Sequence, residues 1–83
     1  MNKYFIYQYI TKINKDDIIN FSNKLGIYLN QNDLEVIYFY IKNEYIRFFD
    51  NPQEIIDEVK GKISDNVYIK LLELYNKYKD KIS

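Results

Sequence analysis

Apolar positions along this chain recur at helical spacing and are interrupted at a few points by Asn, Asp and Gly. That pattern predicts helices joined by short connectors. The densest stretch is Leu34-Glu35-Val36-Ile37-Tyr38-Phe39-Tyr40-Ile41, in which Glu35 is the one polar residue. Leu34, Ile37, Tyr38 and Ile41 stand at i, i+3, i+4 and i+7 and make one stripe, while Val36, Phe39 and Tyr40 lie off it. Val, Ile, Tyr and Phe would also suit a strand. The preceding Asn30-Gln31-Asn32-Asp33 reads as a helix cap, and no hairpin turn is near, which decides for a helix. With apolar side chains on both flanks, this helix is the centre of the fold, a contact surface, or both.

The neighbouring segments follow the same logic. Residues 3–12 place Ile6, Tyr9, Ile10 and Ile13 at helical spacing, although their Tyr and Ile content would serve a strand as well; a helix is the preferred reading. Asn14, with Asp17 three residues on, opens a second helix whose face is Ile18, Phe21, Ser22 and Leu25. Gly26 stands where such a helix needs a left-handed residue to stop, and Ile27-Tyr28-Leu29 continues as an apolar connector. After the central helix ends at Lys42-Asn43-Glu44, Tyr45-Ile46-Arg47-Phe48-Phe49 reads as an extended or turn-like link. Asn51-Pro52 starts another helix, with Glu54 as the third residue and Ile55, Ile56, Val59 and Ile63 as its buried side; Gly61 can end it early. Ser64 or Asp65 caps the last helix, whose stripe is Val67, Tyr68, Leu71, Leu72, Tyr75 and Tyr78, with Lys77, Lys79 and Lys81 at its negative pole.

Composition narrows the reading. Eighty-three residues allow one small domain, spanning 1–83, and the 47% hydrophobic content, with ten Tyr and five Phe, argues against disorder. Twelve basic and twelve acidic residues cancel, and neither half of the chain is strongly charged, so there is no electrostatic pull toward phosphate or anionic lipid surfaces. A net charge near zero also removes one barrier to self-association. The chain has no Cys, which excludes disulfides, thiolate metal sites and Cys nucleophiles, and fits a cytoplasmic location. No small-residue cleavage site follows the first apolar residues, so a signal peptide is not expected. No apolar run approaches the ~20 residues of a membrane helix. Heavy use of Ile, Lys, Asn and Tyr, all with A/T-rich codons, points to a low-GC genome.

Candidate chemistry is sparse. Without His or Cys, a nucleophile would be Ser, Thr, Lys or Tyr without its usual base, and no Gly-rich loop is present to hold phosphate. The expectation is therefore no enzyme, no cofactor, no metal and no small-molecule substrate. Glu54, Asp57 and Glu58 share a helical face, but hard-cation sites gather ligands from several elements. The spacing of Glu58 to Lys62 suits a solvated helix surface instead. A helix, Gly26 and a second helix invite a helix-turn-helix reading, but that second helix would offer DNA Glu35, Tyr38, Phe39 and Tyr40, with Lys42 its one late cation. Nucleic-acid binding is thus the alternative, not the leading reading. Arg47, the sole guanidinium, lies between Tyr45 and Phe48-Phe49, where it can stack on a ring or fork onto a carboxylate.

The succession of a capped opening Ile13-Asn14-Lys15-Asp16-Asp17-Ile18-Ile19-Asn20-Phe21, the connector 26–31, the helix 34–42 and then Tyr45-Ile46-Arg47-Phe48-Phe49-Asp50 resembles the YqfT-like family of small proteins of unknown function from Bacillus and related Firmicutes. The resemblance implies a small helical cytoplasmic protein and brings no catalytic residues. Where the family pattern has a basic residue early in the next helix, this chain has Gln53-Glu54, so no anion-binding role carries over. The expected fold is all-α, a small compact bundle of four to five short helices. The expected role is that of a non-catalytic interaction protein with a protein partner or a second copy of itself. Val36, Phe39, Tyr40, Tyr45 and Arg47 are its candidate interface residues.

Overall fold

In the computed structural model, which describes residues 3–82 and the side chains of Phe5 and of residues 7–80, every regular element is helical. The order is α1 (Lys3–Lys12), α2 (Lys15–Lys24), α3 (Gln31–Asn43), α4 (Tyr45–Asp50), α5 (Pro52–Val59) and α6 (Asp65–Ile82). The Cα radius of gyration, 12.3 Å, is that of a folded chain of this length. Ile6 and Lys81, placed by spacing on a helix face and at a helix end, lie outside the described side chains.

The predicted caps explain most boundaries. In α2, the Asn14 side chain accepts the Asp17 amide at 2.9 Å and Asp17 accepts the Asn14 amide at 3.0 Å. Asn30 and Asp33 repeat that exchange at the start of α3, at 2.7 and 3.2 Å. α2 stops as its sequence requires. Gly26 takes φ +73°, which lets the Ile27 amide turn back onto the Ser22 carbonyl at 2.8 Å and buries Ile27. Gly61, at φ +86°, follows the end of α5 in the same left-handed conformation.

Two expectations need correction. Tyr45–Phe49 is not an extended link: Tyr45–Asp50 forms α4, with no side-chain cap at its start. Its formation is tertiary in cause. Arg47 is held by Glu44, Glu54 and Glu58, and Phe48 packs edge-on against Tyr75 of α6 with ring centroids 6.3 Å apart. Among the described residues the bundle therefore has six helices, the additional one being this short α4. α5 also stops at Val59, so Ile63 is not on that helix; the turn through Gly61 nevertheless returns it to the core.

The core is aliphatic. Ile27, Ile63 and Val67 form its centre, with Leu29, Val36, Ile37, Val59, Leu71 and Leu74, and one ring, Tyr68, packed around them. Ile10, Ile18, Leu34, Ile55 and Ile56 are buried beside it. Among the described residues, no Phe or Tyr is buried; every ring is partly or largely exposed. Along the backbone α3 packs against α1, α2 and α4, and α4 against α5, more extensively than any element packs against α6. α6 joins the core through its side chains, with Val67 at the centre and Leu71 and Leu74 beside it, and an opening remains on its α2 side.

Candidate functional site

Of the five candidate interface residues, Phe39, Tyr40 and Arg47 are linked to one another, whereas Val36 and Tyr45 pack elsewhere. Val36 packs against the aliphatic core. Phe39 is 51% exposed and meets Tyr40 edge-to-face at 5.6 Å. Tyr40 and Arg47 meet through Glu58: the Tyr40 hydroxyl donates to Glu58 Oε1 at 2.8 Å, and Arg47 donates to Glu58 Oε2 at 2.6 Å. Arg47 also reaches Glu54 and Glu44, and Lys62 Nζ donates to the Tyr40 hydroxyl at 2.9 Å. Tyr45 lies against Tyr7 of α1, with centroids 6.2 Å apart. This network binds α3, α4 and α5 together. The Arg47 hydrogen bond, followed by that of Tyr40, holds the Glu58 carboxyl below its usual range, while the Tyr40 bond raises Lys62. Of the carboxylates Glu54, Asp57 and Glu58, the first and last are engaged by Arg47 and the second accepts from Gln53. Among the described residues no His/Cys/Asp/Glu group is arranged to hold a metal ion.

A second polar centre is buried. Asp33, only 1% exposed, accepts the backbone amide of Ser64 at 2.7 Å and the Ser64 hydroxyl at 3.0 and 2.8 Å, besides the Asn30 amide. One carboxyl group thus serves the start of α3 and the start of α6. Asn30 Nδ2 reaches Ser64 Oγ at 3.2 Å, and Asn32 Nδ2 reaches the Lys62 carbonyl at 2.9 Å. Among the described residues no buried side-chain nitrogen or oxygen lacks a partner, so this centre is a satisfied joint and not a poised reactive group.

What remains open is apolar. A groove runs between α2 and α6 over a floor supplied by α3. Its two connected cavities, of about 320 and 590 Å³, share Phe21 and Leu25 from α2, Ile37 and Ile41 from α3, and Leu71 and Leu74 from α6. The smaller reaches toward Tyr9 and Ile13, and the larger continues to Phe48, Ile55 and Tyr75. Both lie within the ~300–1,000 Å³ range of ligand pockets. The predicted face of α2 is therefore only half covered: Ile18 and Ser22 are buried, but Phe21 is 65% exposed and Leu25 forms part of the groove wall. Periodicity found these residues and placed them on one helix face; that they line an opening among the described residues depends on how α2, α3 and α6 pack, which periodicity does not contain.

Comparison with protein-family models, with curated proteins and with solved structures finds no match for this chain. Among the described residues no helix is long and apolar enough to cross a membrane.

Proposed function

We propose that this chain is a small non-catalytic interaction protein whose working surface is the apolar groove between α2 and α6. The observation that carries the reading is an aliphatic core that leaves the described aromatic rings unburied, together with an open apolar channel along one face. A single domain of this size depends on burying its apolar surface, and a contiguous apolar opening is a contact site in most folded proteins. Cytoplasmic residence, a low-GC bacterial origin and kinship with YqfT-like proteins belong to the same proposal.

Binding of the neutral, environment-sensitive dye Nile red tests it. The folded protein, unfolding cooperatively in the same buffer, takes up the dye. Phe21→Ser weakens uptake severalfold while changing stability by no more than about 0.5 kcal/mol, because that ring is mostly exposed. A folded protein that takes up no dye, or takes it up equally with Phe21→Ser, overturns the reading. A second reading, self-association through the outer face of α3, rests on Phe39, the candidate there that protrudes. It predicts a dimer in light scattering that Phe39→Glu dissociates without loss of helix.

A further inference from the structure

The groove is not equally apolar along its length. At its α1–α2 end it opens into a polar vestibule of about 440 Å³, which shares Tyr9, Ile13, Asp17 and Phe21 with the adjoining cavity and adds Lys12, Asn20 and Lys24. Two features mark this end. Asp17, its one carboxylate, already accepts the Asn14 amide in the α2 cap. Lys12 and Lys24 have no ion pair or hydrogen-bond partner among the described residues. Among the described side chains of this half, the other lysines are occupied: Lys15 pairs with Glu35, and Lys42 donates to the Ile10 and Thr11 carbonyls that end α1. Each of the two free cations complements the negative pole of its own helix. That local role does not explain why two such helix ends face one vestibule continuous with an apolar channel.

We propose that the groove binds a single-chain anionic amphiphile, a fatty-acid-like carboxylate, with its tail along Phe21, Leu25, Ile41, Leu71 and Leu74 and its head group between Lys12 and Lys24. This rests on the reading of the groove as the working surface and names its occupant. Charge and shape argue together. The channel is lined almost wholly by apolar side chains along α3 and α6, whereas its mouth carries two unpaired lysines against one carboxylate, on a chain that is neutral overall. A second copy of the chain would meet no need for positive charge at one end alone, and an anion without a tail would leave the apolar walls in water.

Calorimetric titration of the full chain with dodecanoate, 1-dodecanol and dodecyltrimethylammonium, all below micelle formation, reads the proposal directly. Dodecanoate binds at one site, the alcohol about tenfold more weakly, as expected for losing two exposed charge pairs, and the ammonium compound more weakly still. Extending the carboxylate series from decanoate tightens binding about fourfold per methylene until the channel is filled. Lys12→Glu with Lys24→Glu reverses the order of the three head groups. Both positions are exposed, but each lysine also favours the negative pole of its helix. Lys12→Gln with Lys24→Gln removes charge without reversing it, and circular dichroism of both double variants separates head-group recognition from helix loss. The Gln pair is expected to bring the carboxylate down to the affinity of the alcohol. Equal binding of the three head groups, or insensitivity to the lysine pair, overturns the occupant while Nile red uptake keeps the groove itself intact. A dimer that Phe21→Glu dissociates, with no dodecanoate binding, also overturns it and assigns the groove to a second copy. Failure of every amphiphile and of Nile red overturns both readings.

Discussion

α2 and α3 begin with the same four-residue device, Asn-x-x-Asp, and their capping distances differ by only a few tenths of an ångström. Their energetic settings have little in common. The Asn14–Asp17 pair is exposed and serves its own helix. Asp33 is almost wholly buried and, after closing its own cap, fixes the amide and hydroxyl of Ser64, 31 residues later. A cap in water exchanges protein–water hydrogen bonds for internal ones and gains little. A cap in the interior leaves stranded donors when broken, and the cost then includes their desolvation. The identical local motif is a helix signal in one place and the joint between the two ends of the bundle in the other.

That difference breaks most visibly at Asp33. Asp33→Ala strands the Ser64 and Asn30 amides and is expected to cost about 3–5 kcal/mol, most of what a domain of this size possesses, read as the midpoint of urea unfolding. Ser64→Ala is the sharper test. It keeps the backbone donor and removes only the hydroxyl, so about 1–2 kcal/mol is expected; a loss as large as that of Asp33→Ala would place the joint in the hydroxyl alone. Asp17→Ala, its counterpart on α2, should cost about 0.5–1 kcal/mol. Equal losses at positions 17 and 33 would remove the distinction between the two boxes.

The smallest effect lies in the exposed Arg47 cluster. Glu58, with its folded value below the unfolded one, contributes stability that is present above its ordinary pKa of 4.5 and is lost as pH falls through the depressed value. Glu58→Gln is expected to flatten the acid limb of the stability profile below that pH, with its loss of stability largest in the neutral range and vanishing in acid, where the carboxyl group is protonated in the unchanged chain too. An acid limb as steep as that of the unchanged chain would show that Arg47 and Tyr40 do not favour the charged form.

Elements whose start and stop are encoded within a turn were legible. Asn14, Asn30 and Asn51 mark helix openings, and Gly26 and Gly61 mark ends, because a cap needs only neighbours three or four residues away. α4 was not legible: Tyr45-Ile46-Arg47-Phe48-Phe49 has no side-chain cap, and its helical form depends on Glu54, Glu58 and Tyr75, far along the chain. The second duty of Asp33 was hidden for the same reason. For the groove, the residues were visible and the vacancy was not. Phe21, Leu25, Leu71 and Tyr75 all lie on predicted apolar faces, yet whether two such faces meet is decided by the packing of helices far apart in the sequence, which periodicity within one helix does not contain. The aromatic richness of the chain suggested surface beyond what a small core absorbs; among the described residues no ring is fully buried, although Tyr68 packs against the core.

The double duty of Asp33 also orders events during synthesis. At the ~5–20 residues per second of translation, the 31 residues between Asp33 and Ser64 take roughly two to six seconds to add. Until then Asp33 lacks its long-range donor and the groove lacks its α6 wall. The amide of Ser64 becomes a timer for completion. It gains its acceptor only when the last helix docks, and in the finished protein its hydrogen exchanges with solvent only when that docking is undone.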